Sequence, residues 1–65
     1  LMKADYYAPR HQVIVVLPGD PHRHRVGTVD TTRNIGGDML HIVRFADGTK
    51  AQYWAEDLTS VRGGY

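Results

Sequence analysis

The sequence predicts an all-β fold: a single five-stranded, strongly bent barrel with one short 3₁₀ turn before the last strand. Three observations lead there. Five short segments rich in β-branched and aromatic residues lie between Gln12 and Val61. Clusters of Gly, Pro, Asn and Asp bound them, which is the punctuation of strands joined by tight turns. No stretch between them has room for a helix of ordinary length, about 11 residues.

Each element follows from its residues. Residues 1 to 10 read as an N-terminal tail, residues 11 to 62 as the barrel and residues 63 to 65 as a flexible end. Tyr6 and Tyr7 are placed to pack onto the barrel, and Pro9 stops any regular element there. Residues 12 to 17 are a continuous run with a β-branched centre, Val13 to Val16, suited to a strand buried on both sides or bent across a barrel. Pro18-Gly19-Asp20-Pro21 is dense turn chemistry, and residues 22 to 25 follow as an exposed loop or strand edge. Arg25 to Thr32 alternates around Gly27, and a glycine inside a strand marks a bulge or a bend. Asn34-Ile35-Gly36-Gly37-Asp38 is a turn cluster. Met39 to Phe45 is the clearest strand, with Val43 and Phe45 on one face and Ile42 and Arg44 on the other. Ala46-Asp47-Gly48-Thr49 predicts a hairpin with a type I′ turn, so Lys50 to Trp54 runs back antiparallel. Ala55-Glu56-Asp57-Leu58 gives one 3₁₀ turn, and Leu58 to Arg62 the last strand.

Size and composition bound the function. A chain of 65 residues buries only about 60% of the surface its unfolded form exposes. Little core remains in which to enclose an active site, so recognition belongs on the surface or between copies of the chain. The absence of cysteine excludes disulfides and thiolate metal sites and fits a reducing compartment, so a cytoplasmic location is expected. No apolar run approaches the ~20 residues of a membrane span, and no charged-then-apolar leader precedes the barrel. Leu1 ahead of Met2 suggests a vector remnant or an excised fragment. The net charge of +1 is small for a nucleic-acid binder, but it is unevenly spread. His22, Arg23, His24 and Arg25 are consecutive, with no acid until Asp30.

That basic run is the sharpest local signal. Arginines in an exposed loop contact phosphates through charge-assisted, often bidentate bonds, and the alternative is a solvated polar loop between strands. Asp20, His22 and His24 also have the side-chain types of metal ligands, since His-x-His in an extended segment puts both rings on one face. No fourth ligand is evident, so neither a metal nor a cofactor is expected. His11 and His41 read as structural. Tyr53 and Trp54 are adjacent on one strand and point to opposite faces. One of them packs in the core; the other is an exposed platform for a base or an anchor in a protein interface. Glu56 and Asp57 read as caps of the 3₁₀ turn.

The chain resembles the SH3-like small barrels. The residues that carry the resemblance are Val13-x-Val15 with Pro18-Gly19, Val26-Gly27-Thr28-Val29, Val43-Arg44-Phe45-x-Asp47-Gly48, and Trp54-Ala55-Glu56-Asp57-Leu58 before Val61. Within that group, Gly19, Arg23, Arg25, Gly27 and Val29 are similar to the KOW/Tudor-like modules that bind RNA, DNA and ribosomes. Ala51-Gln52-Tyr53-Trp54 is similar to the Val-Gln-Ile-Tyr motif of the type II dihydrofolate reductases, in which a tetramer encloses one pore. Carried over, the pore-lining roles fall on Gln52 and Trp54, with Trp standing for the family's Tyr. Ala55-Glu56-Asp57-Leu58 is similar to the final turn shared by the small-barrel accessory protein of photosystem I and the variable chain of ferredoxin-thioredoxin reductase, a group that docks protein partners.

The functional expectation is a non-catalytic interaction module that binds RNA or DNA, alone or within a larger ribonucleoprotein complex. Its contact residues would be His22, Arg23, His24, Arg25, Arg33, Arg44 and the exposed member of Tyr53 and Trp54, brought together beside the loop. The alternatives are a protein-docking accessory component and an oligomeric reductase.

Overall fold

The structure, a computed structural model, describes residues 6–61; the first half of the expected tail, Arg62 and the expected flexible end lie outside the described residues. The strands are β1 (Gln12–Val15), β2 (Val26–Ile35), β3 (Asp38–Phe45), β4 (Lys50–Trp54) and β5 (Leu58–Ser60), with a 3₁₀ turn at Ala55–Asp57 between the last two. They form one antiparallel sheet in the order β4-β3-β2-β1-β5, so the first strand lies between the second and the last. The all-β fold is as expected, and the sheet is compatible with a small barrel. No helix among the described residues is long and apolar enough to cross a membrane.

β2 sets the shape. Its first residues pair with β1 (Gln12 with Thr28, Ile14 with Val26), and nearly its whole length pairs with β3. The register with β3 slips between Val29 and Thr31, leaving Asp30 as the extra residue of a bulge. A bulge bends and twists its strand, which curls the sheet around its apolar side. Val13, Val15, Val29, Val43, Phe45, Tyr53 and Leu58 fill that side, with Tyr7, Leu17 and Ala51 packed against them. The alternation expected for β3 holds: Val43 and Phe45 are buried and Arg44 is exposed.

Four local expectations are corrected. Gly27 is not the bulge; it pairs regularly with both Val13 and Phe45. Its lack of a side chain serves a close approach, because a Cβ there would lie 2.4 Å from Val43 Cγ1 and 3.1 Å from Phe45 Cδ1. The turn cluster at 34–38 contracts to Gly36-Gly37, at φ of 62° and 98°, and Ile35 pairs with Asp38 across it. Two positive φ angles are the type I′ signature. At Asp47-Gly48 only the glycine has positive φ, at 90°, and Gly48 N–H donates to Phe45 O at 2.9 Å. That is a type I turn closed by a left-handed glycine, the three-residue hairpin alternative. Lastly, β1 stops at Val15, although Val16 N–H still bonds Asp57 O at 2.8 Å.

The segment before β1 is docked. Tyr7 N–H donates to His41 Nε2 at 2.9 Å, and Tyr7 O–H reaches Leu58 O at 3.4 Å. Because His41 Nε2 accepts, its proton sits on Nδ1, which donates to Tyr53 O at 3.1 Å. The fully buried His41 thus has both ring nitrogens satisfied and is structural, as the sequence implied.

Gly27→Ala is expected to cost about 1–3 kcal/mol, the range for forcing extra volume into a packed site. A lower urea midpoint at unchanged m-value would register that loss; an unchanged midpoint would mean that Val43 gives way without cost.

Candidate functional site

The loop from Val16 to Arg25 is closed by two bonds, Val15 N–H to Arg25 O at 3.1 Å and His24 N–H to Val15 O at 2.7 Å. Within it, Arg23 N–H donates to Asp20 O and Arg25 N–H to His22 O, both at 3.0 Å. His22 N–H donates to Asp20 Oδ2 at 2.9 Å. The four amides of His22 to Arg25 are therefore all used inside the fold, and this basic stretch offers no backbone cradle for an anion. Anything it binds must meet its side chains.

Two of its four basic side chains are used as well. The His22 ring stacks on Phe45, with centroids 4.4 Å apart and planes 11° from parallel. Its Nδ1 is 2.9 Å from Arg25 Nη1; a guanidinium only donates, so Nδ1 accepts and the ring proton sits on Nε2. Arg25 lies 4.9 Å from the centre of the Phe45 ring and pairs with Asp47 at 3.3 Å. Asp20 anchors the other side by accepting the Tyr53 hydroxyl at 2.7 Å. That bond is the main reason its carboxyl is held below the ordinary range. Burial first, then the Asp20 bond, push the Tyr53 hydroxyl well above the ordinary phenol range. Arg23 and His24 are exposed. His24 takes a left-handed φ of 74°, which costs a non-glycine residue about 1–3 kcal/mol. The turn geometry of residues 21–24 also replaces the extended His-x-His segment, and among the described residues no cluster of three His or acidic side chains could hold a metal.

A second constellation lies on the outer face of β2, β3 and β4. Cross-strand register aligns Arg33 with Leu40 and Leu40 with Trp54. The next row is Thr31, Ile42 and Gln52, and beyond it Thr28, Arg44 and Lys50. Tyr53 is 2% exposed and Trp54 39%, so Trp54 is the surface aromatic and Tyr53 is core. At the far end the bulged Asp30 is shared by Lys50 at 3.0 Å and Arg44 at 3.8 Å. Its carboxyl is lowered, chiefly by the Lys50 hydrogen bond. Arg33 makes no ion pair or side-chain hydrogen bond among the described residues. Ile35, 45% exposed, extends the apolar strip to the hairpin tip.

The structure thus divides the expected site in two. Among the described residues the loop side chains bond or stack with Phe45, Asp47 and Tyr53, and none of them with Arg33, Arg44 or Trp54. The outer face gathers Arg33, Arg44 and Trp54, and adds Leu40 and Ile42, which sequence reading left out, and Gln52, which it named only as a pore-lining residue of the reductase alternative. Two-residue spacing back from Trp54 was the available signal for Gln52; Leu40 and Ile42 needed the strand register. Of the two expected caps of the 3₁₀ turn, Asp57 accepts Trp54 N–H at 3.3 Å, whereas the Glu56 side chain makes no hydrogen bond among the described residues. At the Thr28–Arg44 end of the outer face an open groove of about 240 Å³ runs over Gln12, Val26, Gly27, Thr28, Arg44, Phe45 and Ala46. No protein-family model matches the chain, and neither a curated protein nor a solved structure shows significant similarity to it.

Asp47 predicts an acid response. Its carboxyl is lowered from 3.8 to about 2, first by the Thr49 hydroxyl, then by the Thr49 N–H and by Arg25. A folded pKa below the unfolded one stabilises the fold above the unfolded value and loses that effect as pH falls through the folded value. The urea midpoint is expected to drop from about pH 4 down to about pH 2, and to drop less in Asp47→Asn. Parallel curves for the two proteins would contradict the assignment.

Proposed function

We propose that this chain is a non-catalytic, SH3-like small-barrel module that binds nucleic acid through the outer face of β2, β3 and β4. The observation that carries the reading is the row Arg33, Leu40, Trp54: an exposed aromatic and a guanidinium unpaired among the described residues, on one face and separated by one aliphatic side chain. Aromatic rings stack on bases of any sequence, and a free arginine is the side chain best shaped for a phosphate. Arg44 and Lys50 extend the positive character toward the far end, where Asp30 offsets part of it. Arg23 and His24 offer a secondary contact from the loop, while His22 and Arg25 hold that loop in place. The small net charge implies weak binding, on the micromolar scale, or binding within a larger cytoplasmic ribonucleoprotein complex. That is how a KOW- or Tudor-like module would act.

Protein docking is the second reading, and one observation favours it. β4 is an edge of the sheet, five residues long, with unbroken register to β3. An edge of that kind accepts a partner strand.

An amide NMR titration with single-stranded RNA and with duplex DNA, at low and moderate salt, separates the two. Shifts centred on residues 31–33, 40–44 and 50–54, with smaller ones at residues 23 and 24, all fading with salt, are expected. A spectrum unmoved by either nucleic acid would discard the first reading in favour of docking. Arg33→Ala should weaken binding and reduce the slope of log K against log salt by about 0.7–0.9, one phosphate contact. Arg25→Ala should leave that slope unchanged, since Arg25 is already paired with Asp47.

A further inference from the structure

We infer that the outer face is built for single-stranded rather than duplex nucleic acid, with one base on Trp54 and its neighbour over Ile42 beside Gln52. This rests on the nucleic-acid reading above and specifies its ligand. Trp54 and Gln52 are two residues apart on β4, so they share a face at a spacing of about 6.8 Å. Stacked bases in a duplex are about 3.4 Å apart. Bases seated at successive same-face positions are therefore splayed to about twice that step, which a paired strand cannot adopt without unstacking. A duplex also hides the flat faces of its bases everywhere but at its ends, and those faces are what an indole ring contacts.

The chemistry across the rows fits a strand laid along β3. Trp54 offers the stacking surface, and Arg33 lies on the same face two strands away, roughly 9.5 Å across the sheet. In the next row Ile42 is half-buried and gives an apolar seat. Gln52 is exposed on one side of that seat, and its side chain makes no hydrogen bond among the described residues. Its amide carries both donors and an acceptor, so it can bond the edge of an unpaired base and discriminate among bases. One row further, Arg44 and Lys50 supply cations about 13 Å from Leu40 along β3. The ligand covered is two to three nucleotides, with Trp54 the stacking residue and Gln52 the residue that sets base preference.

The chain contains one tryptophan, so intrinsic fluorescence reads the proposed contact directly. The probes are eight-nucleotide oligo(A), oligo(U) and oligo(C), and a blunt 16-base-pair duplex, at low and moderate salt. Single strands are expected to quench Trp54, and the duplex to bind at least tenfold more weakly. Trp54→Ala should lower single-strand affinity roughly 5- to 150-fold, the loss for one stacked base, read by anisotropy of a labelled oligonucleotide. Trp54→Phe should retain most of the affinity; circular dichroism of both variants shows whether either has failed to fold. Gln52→Ala should narrow the spread among the three homopolymers at similar mean affinity. Duplex binding equal to single-strand binding, with Trp54 emission unchanged, would overturn this inference and leave the nucleic-acid reading standing. Absence of binding to every probe would overturn both.

Discussion

β2 has to serve two partners at once. Near its start it is sandwiched between β1 and β3, and there a backbone already committed on both edges leaves only side-chain volume to adjust. Gly27 sits at that crossing, paired with Val13 on one side and Phe45 on the other. Because no Cβ intrudes, Val43 and Phe45 close over the strand. Three residues later the Asp30 bulge turns β2 away. Everything downstream inherits that geometry: the curl that lets β5 reach β1, the seat of the loop on Phe45, and the rows of the outer face.

The bulge also links folding to surface charge. An extra residue in one strand must put its side chain somewhere, and the Asp30 carboxylate faces Arg44 and Lys50. Asp47 does the same for Arg25, while Asp20 is held by the Tyr53 hydroxyl and the His22 amide. Acids and bases placed close together give a molecule that is nearly neutral in sum yet locally polarised. Arg23 and Arg33 are left outside these pairs. A count of charges along the chain weights Arg25 and Arg44 equally with them; the folded molecule does not.

Strand positions were largely legible because period-two alternation and turn residues are local signals. Val43 and Phe45 against Arg44, the 3₁₀ turn at Ala55–Asp57 and the structural part of His41 could be read from neighbours alone. The choice between the two hairpin geometries could not, since Asp47-Gly48 and Gly36-Gly37 each tolerate several turns and the flanking register decides. Nor could the burial of Tyr53 rather than Trp54. That choice depends on which face of β4 meets the core, and so on the count of residues through the β3–β4 hairpin. The candidate site was least legible. Arg33, Leu40 and Trp54 are brought together by pairing across three strands, whereas the four consecutive basic residues are parted by a stack on Phe45 that no local pattern announces.

The placement of β1 beside β5 has an architectural consequence. His11 and Ser60 side chains meet at 3.1 Å, and Val61 N–H bonds Gln12 O at 3.2 Å, so the start of the first strand and the end of the last adjoin on the surface. A domain whose ends adjoin can be spliced into a surface turn of another protein with little disturbance to its host. By the same geometry, a short bridge across those ends and a cut at Gly36-Gly37 would permute the chain while keeping every strand neighbour it now has.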